Sequence, residues 1–180
     1  KKNPYYWKIM RFINNTGLRF PSEVMNLKWK DIDLEHNRMT IRDRKRKGTQ
    51  VIPLIGRGKE IIVSLQGRSG VPYGEKNFVW LNDKGKMVKG LGKGFKKSLV
   101  ECGIDKNITM YSFRHLYTTR MVKRPDISLK VISDILGHTT TDMVNKIYSR
   151  LGIDDLLDSV SVSEKKRELI PCAKQMTKSG

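Results

Sequence analysis

This chain has little of what would build a disulfide scaffold, a membrane span or a metal centre. It contains two cysteines, Cys102 and Cys172, too few for a disulfide framework and at no metal-site spacing. Cys102 falls in an apolar helical pattern and is expected to be a buried thiol. No apolar run is long enough to span a bilayer, and no basic helix carries a large aromatic face, so a membrane partner is not expected. Nothing resembles a signal peptide, which makes a reducing, cytoplasmic compartment the expectation. Internal repeats are absent, and the Gly-rich stretch 67–76 lacks phosphate-loop spacing. Carboxylates are scarce and scattered: Asp31 and Asp33 stand alone, and Asp154-Asp155 lie beyond the periodic part of the chain. No metal site and no cofactor are therefore expected.

Positive charge dominates what is there. Lys and Arg total 36 against 18 Asp and Glu, a net charge of +18. Such an excess points to nucleic acid, because basic side chains displace condensed counterions from a phosphate backbone. The length of 180 residues and a 38% hydrophobic content suit one domain with a real core. The chain opens at Lys1 rather than Met, as a fragment of something longer would.

Helical and strand periods alternate along the chain. Trp7, Met10 and Ile13, with neighbouring Ile9 and Phe12, mark a broad apolar helical face over Pro4 to Asn15, ended by Asn14-Asn15-Thr16-Gly17. Pro21-Ser22-Glu23 is predicted to start a second helix, which places Arg19 in the elbow between two helices. Met39 to Arg42 and Thr49 to Leu54 read as a hairpin, preceded by a short strand and turn over Asp31 to Asn37. The hairpin tip, Asp43-Arg44-Lys45-Arg46-Lys47-Gly48, is strongly basic and suits phosphate contacts. Helices are predicted over Gly58 to Leu65 and around Phe95 and Leu99, the latter bearing Lys93, Lys96 and Lys97 as backbone contacts. A helix opens near Tyr111 with Ser112 as its N-cap and ends before Pro125. Another starts at Ser128 and stops at Gly137. A last one carries Met143, Val144, Ile147 and Leu151. The fold class expected is α+β, mainly helical, with a small three-stranded antiparallel sheet.

Four chemically capable residues sit at these element ends. Arg114, with His115 beside it, interrupts an apolar, aromatic segment, Tyr111-Ser-Phe-Arg-His-Leu-Tyr. A buried guanidinium there is costly without a partner for its five donors. Arg19, His138 and Tyr148 complete a set suited to a phosphodiester: cations to neutralise it, a further donor, and a phenol as nucleophile.

Thr16-Gly-Leu-Arg19, Glu23-Val-Met-Asn-Leu-Lys-Trp29, the basic hairpin ending Val51-Ile-Pro-Leu54, Arg114-His115, Leu136-Gly-His138 and Tyr148 follow in that order. Together they resemble the catalytic domain of the tyrosine recombinase (phage integrase) family, over about Lys1 to Leu151. The resemblance implies site-specific recombination of double-stranded DNA through a covalent 3′-phosphotyrosine, without metal or ATP. It implies Arg19, Lys45, Tyr111, Arg114, His138 and Tyr148 as catalytic residues. Tyr148 would be the nucleophile and Lys45 the hairpin lysine, with Lys47 as the alternative register. Arg44, Arg46, Lys47, Lys93, Lys96, Lys97 and His115 would contact DNA. Tyr111 departs from the family, which usually has histidine there. A phenol with a pKa of about 10 suits hydrogen bonding better than proton uptake. Phe20 is a second departure, an extra residue between Arg19 and Pro21-Ser22-Glu23. Residues 1–158 would form the catalytic domain and 159–180 a tail packing on a neighbouring protomer. The family's N-terminal DNA-clamping domain is expected to lie outside this sequence, and a monomer assembling to a tetramer on DNA is expected. A type IB topoisomerase-like enzyme or a catalytically impaired DNA-binding module are the alternatives.

Overall fold

The computed structural model describes residues 4–43, 48–68, 71–88, 91–104, 107–138 and 140–152. The hairpin tip with Arg44, Lys45, Arg46 and Lys47, and the tail from 159, lie outside these residues. The chain forms two compact units, Lys1–Thr118 with Ile135–Gly137, and Thr119–Asp134 with His138–Gly180.

In the first unit, α1 (Pro4–Thr16) lays Ile9, Phe12 and Ile13 into the core, each fully buried, whereas Trp7, two residues from Ile9 and so on the opposite side of the helix, is exposed rather than part of that face. Trp80 meets Phe12 edge-on, with ring centroids 5.3 Å apart. Gly17 ends α1 at φ +69°, its N–H donating to the Ile13 carbonyl at 2.8 Å. That left-handed position favours glycine, which has no Cβ to clash.

The predicted second helix is not formed. Residues 20–26 make a run of turns instead. Their backbone bonds change length at almost every step: Glu23 and Val24 both donate to Arg19, Met25 to Pro21, and Leu27 to Val24. Pro21 has no N–H to give, and the Asn26 side chain takes the Ser22 carbonyl at 2.7 Å. A segment this short cannot recover the cost of nucleating a regular helix under that competition. Arg19 therefore sits between α1 and a turn.

The sheet follows expectation. β1 (Ile32–Asp33), β2 (Arg38–Asp43) and β3 (Gly48–Pro53) pair antiparallel in that order. Met39 faces Ile52 and Ile41 faces Gln50 across β2 and β3. Met39, Ile41 and Ile52 are buried, which fixes the register, since a one-residue slip would turn them to solvent. α2 (Gly56–Val63) adds Ile61 and Ile62 to the core, and α3 (Leu91–Glu101) adds Leu91, Phe95 and Leu99. Cys102, just past α3, is exposed rather than buried. The helix stops at Glu101, and Gly103 at φ +64° turns the chain before Cys102 can join the buried face.

α4 (Met110–Val122) runs through the end of the first unit. Its buried residues, Met110, Arg114, Thr118 and Val122, recur every four positions. One face of this helix thus buries an arginine and a threonine where apolar residues would be ordinary. Ser112 is not the N-cap; it lies inside α4, and its hydroxyl accepts the Thr109 N–H at 3.1 Å. α5 (Leu129–Leu136) is capped as expected, with the Val131 N–H donating to the Ser128 hydroxyl at 3.3 Å. Gly137 at φ +63° ends it.

The second unit takes in most of α5 and all of α6 (Asp142–Tyr148). Ile132 and Val144 are fully buried, whereas Met143 is exposed rather than part of the apolar stripe. α6 is seven residues long, so its buried face has room for little beyond Val144. No helix among the described residues is long and apolar enough to cross a membrane.

Candidate functional site

Three segments of the first unit meet around two arginines. Arg114 reaches inward from α4 and is 3% exposed. Its Nη1 donates to the Gly17 carbonyl and its Nη2 to the Leu136 carbonyl, both at 2.6 Å. The guanidinium therefore ties the end of α1 to the end of α5. Leu136 is among the last helical residues of α5, whose carbonyls have no intrahelical donor and carry the negative end of the helix dipole. A buried cation is tolerable there because strong donors meet acceptors that need them. Burial, and then the charge of Arg19, draw the Arg114 pKa down to about 10. The Glu23 carboxylate, 3.8 Å away, opposes that shift.

Arg19 meets the same framework from the turn. Its Nη1 donates to Glu23 Oε1 and its backbone N–H to Glu23 Oε2, each at 2.7 Å. Its Nη2 donates to the Gly137 carbonyl at 3.1 Å. The Glu23 side chain is 9% exposed, and that of Arg19 is 31% exposed. Glu23 thus anchors Arg19 at two points while the guanidinium stays open to solvent. The extra Phe20 does not prevent this contact. Two cations with one buried carboxylate between them leave a local excess of positive charge, which suits an anion.

The other candidates are placed as follows. Tyr111 lies one helical turn before Arg114 in α4 and is 56% exposed. It acts, after Glu23, against the fall of the Arg114 pKa. His115 is exposed on α4, and Lys93, Lys96 and Lys97 are exposed on α3, with Lys97 3.9 Å from Glu101. In the second unit, the His138 N–H donates to the Ser133 carbonyl at 2.9 Å, closing the end of α5. Tyr148 is the last residue of α6 and 47% exposed. Lys45 with Arg44, Arg46 and Lys47 falls outside the described residues. Among the described residues, no group of three or more His, Cys, Asp or Glu could hold a metal ion.

Sequence reasoning missed three acceptors and one side chain. The carbonyls of Gly17, Leu136 and Gly137 have no sequence signature, since every residue has one. Gln50 comes close to the same place. A Cβ built on Gly137 would lie 2.7 Å from Gln50 Oε1 and 3.9 Å from Arg19 Nη1. Its signal was available: Gln50 is a polar residue two positions from Ile52, on the core-facing side of a strand.

Several known proteins are similar to this chain. Tyrosine recombinase XerA of Pyrococcus furiosus is 26% identical over 155 residues, covering 84% of this chain and 52% of that relative. The tyrosine recombinase XerC-like protein of Caldanaerobacter subterraneus is 26% identical over 171 residues, covering 76% of this chain and 43% of its own length. The chain thus spans about half the length of these relatives. The solved structure of the Tn1549 transposon integrase in complex with transposon right end DNA superposes with a TM-score of 0.69. At 19% identity it covers 92% of this chain and 59% of that one, a likeness that establishes a common fold. The sequence model of the phage integrase family matches residues 3–152. With that match across most of its length, the chain belongs to the phage integrase family.

Proposed function

We propose that this chain is the catalytic part of a site-specific DNA recombinase. It cuts and rejoins double-stranded DNA through a covalent 3′-phosphotyrosine at Tyr148. The observation that carries this reading is the arginine pair: Arg19 and Arg114, held by Glu23 and by the carbonyls of Gly17, Leu136 and Gly137. Family membership and a net charge of +18 support DNA as the substrate.

In the proposed reaction Arg19 and Arg114 neutralise the non-bridging oxygens of the scissile phosphate. Phosphoryl transfer chiefly needs this positioning and charge stabilisation. The Tyr148 phenol oxygen attacks phosphorus and loses its proton to water. The bond from phosphorus to the 5′-oxygen breaks, and Lys45 gives that oxygen a proton. His138 and Tyr111 add hydrogen bonds to the phosphate or nucleophile. A 5′-hydroxyl from another strand then attacks the phosphotyrosine, a new phosphodiester forms, and the phenol leaves. One phosphate ester replaces another at each step, so no ATP is consumed. Arg44, Arg46, Lys47, Lys93, Lys96, Lys97 and His115 contact the DNA backbone. Residues 1–158 carry the chemistry, and 159–180 pack on a neighbouring protomer in a tetramer on DNA. A chain ended after Asp158 should form smaller assemblies on DNA by light scattering; unchanged assembly would refute that division.

A trapping assay tests the chemistry. The protein and its Tyr148→Phe variant are incubated in EDTA with nicked duplex carrying the recombination site. An adduct that survives denaturation is expected with the wild type and not with the variant. An adduct in both would remove Tyr148 as nucleophile. None with the wild type, while it still binds DNA, would leave a binding module. Exchange between two defined sites distinguishes a recombinase from an enzyme that only relaxes supercoils.

A further inference from the structure

β3 carries a polar side chain on its core-facing side. Gln50 pairs with Ile41, and strand alternation puts it on the same face as Met39, Ile41 and Ile52. Those three are buried, and Gln50 is half-buried. Its carboxamide makes no hydrogen bond to another described residue. A half-buried amide without such a partner has unused donor and acceptor capacity, which is costly unless water or a ligand satisfies it.

The position of that amide gives it a use. The point where any other residue would place its Cβ at Gly137 is 2.7 Å from Gln50 Oε1 and 3.9 Å from Arg19 Nη1. Gln50 and Arg19 therefore converge on the hollow that Gly137 leaves by lacking a side chain. The Arg19 side chain is 31% exposed, so an anion can reach it. A third cation here would be opposed by two guanidiniums that already repel each other. A neutral donor adds a hydrogen bond without that repulsion. The amide can turn its NH₂ toward an oxyanion, a geometry open to glutamine.

We propose that Gln50 is a further ligand of the reacting phosphodiester, its carboxamide donating to a non-bridging oxygen beside Arg19. This rests on the reading of the arginine pair as a phosphodiester site. It adds to that reading a residue from the middle of β3, paired with Ile41. It also gives the glycine at 137 a second reason, since a side chain there would displace Gln50 from Arg19.

The test uses the nicked duplex under single-turnover conditions, with Gln50→Ala and the equally long, non-polar Gln50→Met. Loss of one such donor should slow adduct formation roughly 100- to 1,000-fold in both variants. DNA affinity at fixed salt and the unfolding midpoint should stay near the wild-type values. A duplex with a methylphosphonate at the scissile position, each diastereomer measured separately, replaces one non-bridging oxygen by methyl. The Gln50→Met defect should shrink toward none for the diastereomer that lacks the contacted oxygen. A wild-type rate in Gln50→Met, or the same defect on phosphate and on both diastereomers, would overturn the proposal and leave a packing residue. The wild-type protein separates the two levels of inference. If it forms no adduct, the phosphodiester reading fails and the role of Gln50 with it. If it forms an adduct no faster than Gln50→Met, only the role of Gln50 fails.

Discussion

Replacing Gly17 by alanine adds one methyl group where the arginine framework is tightest. A Cβ there would lie 2.5 and 2.8 Å from Cδ1 and Cε1 of Tyr117, and 2.9 Å from Cδ2 of Leu136. Carbon atoms in good contact stand about 3.5–4.0 Å apart. Overpacking of this kind costs about 1–3 kcal/mol. The backbone at φ +69° adds about 1–2 kcal/mol for a residue with a side chain. Together the change should destabilise the protein by about 2–5 kcal/mol. Gly56→Ala separates the two causes, because Gly56 has φ +51° and nothing within 4 Å of its built Cβ. Only the backbone cost applies there. Unfolding followed by circular dichroism measures both. At about 2–4 °C per kcal/mol, Gly17→Ala should lower Tm by roughly 4–20 °C and Gly56→Ala by about 2–8 °C. The Gly17 carbonyl also accepts from Arg114 at 2.6 Å. Adduct formation should therefore fall in Gly17→Ala well below the folding temperature, and stay unchanged in Gly56→Ala. Equal Tm losses would show that crowding against Tyr117 and Leu136 carries no energy, and the packing argument would be wrong.

Two further outcomes are expected. Glu23→Gln keeps the shape of the side chain but removes the charge that holds Arg19 at its backbone and guanidinium. Adduct formation should slow about 10- to 100-fold with DNA affinity little changed, because small misplacements of a positioned group cost that much; a wild-type rate would show that Arg19 needs no brace. Asp33 tests the pH dependence of stability. Its carboxyl is held down to about 2, first by the His36 backbone N–H and then by the side chains of Arg38 and His36. A carboxyl with a folded pKa below its unfolded value of about 3.9 stabilises the fold above that value. The contribution fades as pH falls from about 4 to about 2. Tm scans should find Asp33→Asn less stable than wild type at neutral pH and level with it below about pH 2; a constant offset at all pH values would contradict this.

The sequence by itself determined most elements and the identity of the chemical groups. Helical period placed α1, α3, α5 and α6, because buried faces must recur every three to four residues. Alternation placed β2 and β3 for the corresponding reason. Gly17 and Gly137 marked helix ends, since a left-handed residue there favours glycine. Arg114 stood out because a fixed cation amid apolar residues demands partners. Other features depended on balances that local pattern does not show. The turns at 20–26 replaced a helix because Pro21 and the Asn26 side chain disrupt a segment too short to compensate. Cys102 fell one residue beyond the buried face of α3. What only the tertiary structure decided is what holds the arginines. Backbone carbonyls of Gly17, Leu136 and Gly137 do so, and they come from segments about a hundred residues apart. A carbonyl has no letter in a sequence, and its role appears only when folding removes its other partners and brings a donor to it.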